Sequence, residues 1–275
     1  MDAAKRHKHL LAMLAKWVAT PTNDRRLDWC KAIRKSVSEK SPHALQAGAM
    51  QVWFFANWDA QHGLSNLTRS DASGWQEIGL SLEYRWLYQQ LNPEMTQLSE
   101  SVLLLAHLWA IGDQARTDAQ AQRLDQARGS SPLWRFSRFG HFLLSLRGDL
   151  TSQPSPDTGV GSTAMGSMYA TLHSASASVD DVLAPTLSAA CDYHLEQALT
   201  QQGYPEFALS PYDLLPIEML LIDALRRRHG LELVHVAHPL LAASLLLEAP
   251  AHAVPAFDPD IDKLLARARD AGIAT

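Results

Sequence analysis

The residues of this 275-residue chain that could do chemistry are few and scattered. Cys191 and His194 stand three apart in a segment of helical character, so they share a face, as a thiol and its general base would. No acid beside them orients the imidazole, and a small buried cysteine next to a capped histidine is the preferred reading. His229, His235 and His238 form the one candidate ligand trio. Each has an ordinary local role, at a helix end, in an alternating segment and before a proline, so no metal is expected there. Asp258, Asp260 and Asp262 imitate the start of a calcium loop, but Lys263 stands where Gly is required at position six and Arg269 where Glu is required at position twelve. Acids in a helix's first turn complement its dipole and explain them better. Gly159, Gly161 and Gly166 miss the GxGxxG spacing, and no Lys-Ser/Thr pair follows. Neither a GxSxG elbow nor an HExxH pair occurs. The Arg226–Arg228 run falls in a last helical turn, where cations offset the dipole. No catalytic residue, metal or cofactor is expected.

Acids beside tyrosines in the C-terminal half are more suggestive. Asp180, Asp181, Glu206, Asp213 and Glu218 flank Tyr204, Phe207 and Tyr212 in predicted loops or helix starts. On a surface, that composition suits covering a basic cleft of another protein. Helix capping and ordinary solvation account for the same residues without a partner. The expected partner-binding set is Asp180, Asp181, Tyr204, Glu206, Tyr212, Asp213 and Glu218.

The elements that must position these groups are helices. The chain has 42 Leu and 39 Ala against 10 Val and 7 Ile, which excludes a sandwich, a barrel or a doubly wound sheet. The fold class is all-α, an array of antiparallel helix hairpins, with one short extended segment near 231–236. Ser41–Pro42 opens a helix through about 60 that ends near Gly63. Asp71 or Ser73 opens the next, with Trp75, Ile78, Leu82, Trp86 and Gln89 on one stripe, and Asn92–Pro93 closes it. Helices follow over about 98–111, to 128, and 133–146, then 164–176, 179–202, from Ser210 or Pro216 to His229–Gly230, from His238–Pro239, and from Asp258–Pro259 to Gly272. Gly48, Gly79 and Gly112 recur at 31 and 33 residues, a faint helix-hairpin repeat without a tetratricopeptide consensus. The Ser/Pro/Gly/Asp-rich stretch 148–162 reads as a linker between an N-terminal region, 1–147, and a C-terminal one, 163–275. It also takes in most of the tripeptide Arg147–Gly148–Asp149, which is read as chance.

The net charge of −5 disfavours nucleic acid, and no apolar run is long enough to cross a bilayer. Cys30 and Cys191 form no CxxC pair, the basic opening lacks a signal-length apolar run, and a cytoplasmic location is expected.

From 189 to 247 the chain resembles bacterial polymorphic-toxin immunity proteins, especially the immunity-49 family. The resemblance lies in Ala190–Cys191–Asp192–Tyr193–His194–Leu195–Glu196, in Leu214–Leu225, in Gly230 with the alternating Leu231–Val236, and in His238–Pro239–Leu240–Leu241. Pro216–Ile217–Glu218–Met219 and His238–Leu241 stand where that family has a Pro-Leu-Ala-Leu-type start and a Tyr-Leu-Pro closure. These departures leave open the related immunity family of PoNe-type DNase toxins. The resemblance implies a helical, non-enzymatic protein that binds a cognate toxin, often a secreted nuclease, and occludes its active site. A helical adaptor or chaperone of a secretion effector is the alternative, and a helical enzyme using Cys191 and His194, or the His229–His238 cluster, the third reading.

Overall fold

Local capping chemistry sets several helix boundaries in the computed structural model, which describes residues 1–20, 23–39, 41–128, 131–146, 162–176, 182–201, 203–232, 234–250 and 256–273. Helices α1 (Ala3–Val18) and α2 (Asn23–Ser38) precede Ser41, whose hydroxyl accepts the Ala44 N–H at 3.2 Å and starts α3 (Pro42–Thr68). There follow α4 (Gly74–Leu91), α5 (Leu98–Ala110), α6 (Gln114–Arg128), α7 (Arg138–Ser145), α8 (Ser162–Ser176), α9 (Leu183–Ala198), α10 (Ile217–Arg228) and α11 (Pro259–Asp270). The Asp258 carboxylate caps α11 by accepting the Asp260 N–H at 3.0 Å. The fold is all-α; among the described residues, those of 231–236 included, there is no strand.

Three boundaries differ from expectation for physical reasons. Gly63 does not end α3: a Cβ there would lie 2.6 Å from the Gly74 carbonyl, so this glycine lets the backbones of α3 and α4 approach within one hairpin. The expected 133–146 helix is a 3-10 turn, Pro132–Phe136, followed by α7, because the Ser137 hydroxyl accepts the Gly140 N–H and restarts the helix. His238–Pro239 opens only the 3-10 turn Pro239–Leu241. The glycine periodicity dissolves as well. A Cβ on Gly48 would meet Leu264 at 2.8 Å, Gly79 faces open space, and Gly112 ends a helix at φ 78°.

The chain forms two compact units interleaved in sequence, Met1–Leu11 with Leu98–His252, and Ala12–Gln97 with Ala253–Thr275. These boundaries replace the expected division at 148–162, a stretch that lies outside the described residues up to Ser162. The reason is α11, which packs on α2 and α3 and places Ile261, Leu264 and Ala268 in one core with Ile33, Val52, Phe55 and Tyr84. Within that unit α4 is buried nearly all round. Trp86 of the expected stripe is half-buried, whereas Glu83, Tyr84 and Arg85 beside it are buried, with Arg85 donating to the Asn57 side chain at 2.9 Å. The other unit is built on α5, buried without interruption from Ser99 to Trp109, with α6, α7 and α10 against it, α7 also on α8, and α8 on α9. Trp58, Trp75, Trp109 and Trp134 are core residues. No helix among the described residues is long and apolar enough to cross a membrane.

Candidate functional site

A cluster of buried ionisable side chains lies inside the unit built on α5. Glu206 lies in the loop between α9 and α10, and Glu218 in the first turn of α10. The Glu206 carboxylate accepts the Phe139 N–H at 2.8 Å and the Ser137 hydroxyl at 3.4 Å through Oε1, and the Tyr193 hydroxyl through Oε2. It therefore caps α7 from a distance: the first turn of that helix has amide donors without intrahelical acceptors, and a carboxylate from another segment supplies one. Glu218 accepts the Tyr169 hydroxyl at 3.2 Å and pairs with His194 Nδ1 at 2.7 Å. Phe207 stacks on the His194 ring at 4.3 Å, and Phe142 on Tyr169 at 4.9 Å. One network thus ties α7, α8, α9, α10 and the 199–216 loop together.

Electrostatics follow from burial. Glu206 is 3% exposed, and loss of water pushes its pKa up to about 7. The hydrogen bonds from Tyr193 and Phe139 pull the other way and do not win, and the nearby Glu218 adds to the rise. Burial raises the Tyr169 and Tyr193 phenols too, reinforced in turn by Glu218 and Glu206. Cys191, 3% exposed, is driven up by burial and by Glu218, which keeps it a thiol rather than a reactive thiolate. His194 has an orienting acid after all, Glu218, which lies 24 residues away in sequence. An imidazole held at Nδ1 by a carboxylate is the arrangement of a general base. Here the ring is wholly buried against Phe207, and no substrate atom can reach Nε2 without opening the core.

These positions correct the expected partner-binding surface. Glu206, Tyr212 and Glu218 are buried, Tyr212 beside His107 Nδ1 at 3.2 Å. Tyr204 and Asp213 are half-buried, and Asp180 and Asp181 lie outside the described residues. Acids and tyrosines together are as much the composition of an interior network as of an interface, and three of the five described residues of the set are in the interior. Tyr169, Tyr193 and Ser137 belong to the network, and nothing in their local spacing points to partners on other helices. The two acids of α9, Asp192 and Glu196, do face outward, with side chains 55% and 60% exposed. Asp192 lies 3.5 Å from His238 and Glu196 lies 3.9 Å from Arg6.

His229, His235 and His238 do not converge: the first two are exposed, and His238 takes the Leu240 N–H on its ring nitrogen. A different trio does, Cys30, Asp258 and Asp260, with one ligand atom each inside 4.8 Å. Arg34 at 2.7 Å and Lys263 at 3.3 Å already neutralise Asp260, and Asp258 caps α11, so ion pairing and capping account for it.

No family model, no curated protein and no solved structure matches the chain.

Proposed function

We propose that this is a toxin-neutralising immunity protein, which binds a cognate bacterial toxin and blocks it without chemistry of its own. The observation that supports the reading is the state of the 189–247 segment, on which the resemblance rests. Its marked residues Asp192, Tyr193, His194, Glu218 and His238 are paired with one another or with their immediate supports: His194 with Glu218, Tyr193 with Glu206 and Asp192 with His238. A segment cross-linked in this way is a rigid platform, and rigidity lowers the ordering cost of capturing a partner. The network is the frame, and the recognition surface moves outward to the acids of α9. Asp192 and Glu196, one turn apart, offer the negative patch that a basic catalytic cleft requires.

The test is co-expression with the product of the adjacent toxin or effector gene, scored by growth. The wild-type chain restores growth. The doubly reversed Asp192→Lys/Glu196→Lys chain keeps its circular dichroism and melting temperature, because both carboxylates are more than half exposed and their ion pairs long, at 3.5 and 3.9 Å, and loses protection. A neighbour that is not toxic, or a toxin whose effect the wild-type chain leaves unchanged, overturns the reading. A double variant that still protects overturns the chosen surface.

A further inference from the structure

Apart from the carboxylate network, the turn that follows α6 gathers a second set of polar groups, of the opposite character. Arg128, Trp134, Arg135 and His141 line a depression of about 520 Å³, together with Ser131, Pro132 and Ala164. Its described lining holds two guanidiniums, an indole and an imidazole, and no carboxylate. Trp134 and His141 are 4% and 8% exposed, with their rings 5.3 Å apart. Trp134 Nε1, Arg128 Nη1 and His141 Nδ1 are each buried with no hydrogen-bond partner. Indole and guanidinium nitrogens can only donate. A buried donor without an acceptor has lost its hydration with nothing in return, so two obligate donors at one depression specify the missing group, an acceptor. The adjacent guanidiniums specify its charge, which is negative. The positive field is uncompensated enough to act on a neighbour: burial first and then Arg128 hold the His141 pKa below its ordinary value, against the pull of the Trp134 carbonyl.

We propose that this depression is an oxyanion site, holding a phosphate or carboxylate group on the Trp134 Nε1–H and the Arg128 and Arg135 guanidiniums. Leu133 and Phe136, exposed in the same 3-10 turn, with the Arg135 guanidinium 4.6 Å above the Phe136 ring, offer apolar contact to whatever carries the anion. The buried nitrogens do not reach solvent as the side chains stand, so entry involves a rotamer change in Arg128, half-buried, or Arg135, exposed. The site is independent of the proposed immunity function and of the α9 surface.

The full-length, 15N-labelled chain is titrated with sodium phosphate, with sodium acetate, and with sodium chloride at matched ionic strength. The probe is the Trp134 indole N–H resonance, assigned by its absence in Trp134→Phe. The expected result is a saturable shift with phosphate or acetate and none with chloride. Phosphate alone identifies a phosphate-bearing ligand, and acetate alone a carboxylate-bearing one. Arg128→Gln and Arg135→Gln each weaken binding about tenfold, the loss of one charge-assisted hydrogen bond. Arg135 is exposed, so its variant folds whatever happens to the others. No saturation with either oxyanion, the same shift in chloride, or unchanged affinity in Arg135→Gln overturns the proposal.

Discussion

Replacing Glu206 by Gln tests whether the carboxylate network is a strained interior or a relaxed one. Glu206 titrates near 7 in the folded chain against an ordinary value of 4.5. Folding therefore favours its protonated form. The stability it contributes is present below about pH 4.5 and is lost as the pH rises towards 7. A difference of two and a half units at about 1.36 kcal/mol each gives about 3 kcal/mol between pH 4 and pH 8. Gln imitates the neutral acid: its carbonyl can still accept the Phe139 N–H, and its amide can donate to the Tyr193 oxygen. The two chains should have nearly equal stability at pH 4, and the variant should be the more stable by about 3 kcal/mol at pH 8. Hydrogen exchange of the α7 amides, read in both chains across that range, isolates this unit from the other. Parallel pH profiles for wild type and variant would show that Glu206 is not held above its ordinary pKa and refute the reasoning.

Asp59→Asn should act with the same sign in the other unit. Asp59 is buried, 3.5 Å from Arg26, and burial pushes it up to about 7, so stability is lost between about pH 4 and 7 and the variant gains roughly 4 kcal/mol over wild type on passing from pH 3 to pH 8, read by urea denaturation. Gly63→Ala should cost roughly 2 kcal/mol or more, since the new methyl meets the Gly74 carbonyl, a backbone atom that cannot move alone; thermal unfolding measures it. Leu264→Ala should cost about 2–5 kcal/mol by emptying a fully buried site. Gly48→Ala, whose methyl would point at Leu264, should recover about 1 kcal/mol in that background and less in the wild type, a coupling that a double-mutant cycle exposes.

What could be read from the sequence was what is written locally. Ser41 and Asp258 are side-chain caps in the structure because a cap needs only its own next few residues. The leucine run of α5 is a buried helix because no face of it is polar enough to be anything else. Gly63 misled because a glycine that ends a helix and a glycine that admits a neighbouring backbone look alike until the neighbour is known. The network is illegible in the sequence for the same reason on a larger scale. Glu206 and Glu218 read as exposed because acids usually are, and their partners Tyr193, Phe139, Tyr169 and His194 belong to other helices. His194 looked unsupported because its acid lies beyond the next loop.

The interleaving of the two units fixes an order of assembly during translation. Helices α2 to α4 leave the ribosome early, yet the core that joins them is completed only by Ile261, Leu264 and Ala268, close to the last residues described. The stretch encoded in the middle, 98–252, is synthesised before that closing helix, so the unit built on α5 has all its parts first. Until α11 emerges, the nascent Ile33, Val52 and Phe55 lack the apolar surface that finally covers them, and a stalled or shortened message leaves behind one finished half and one sticky one.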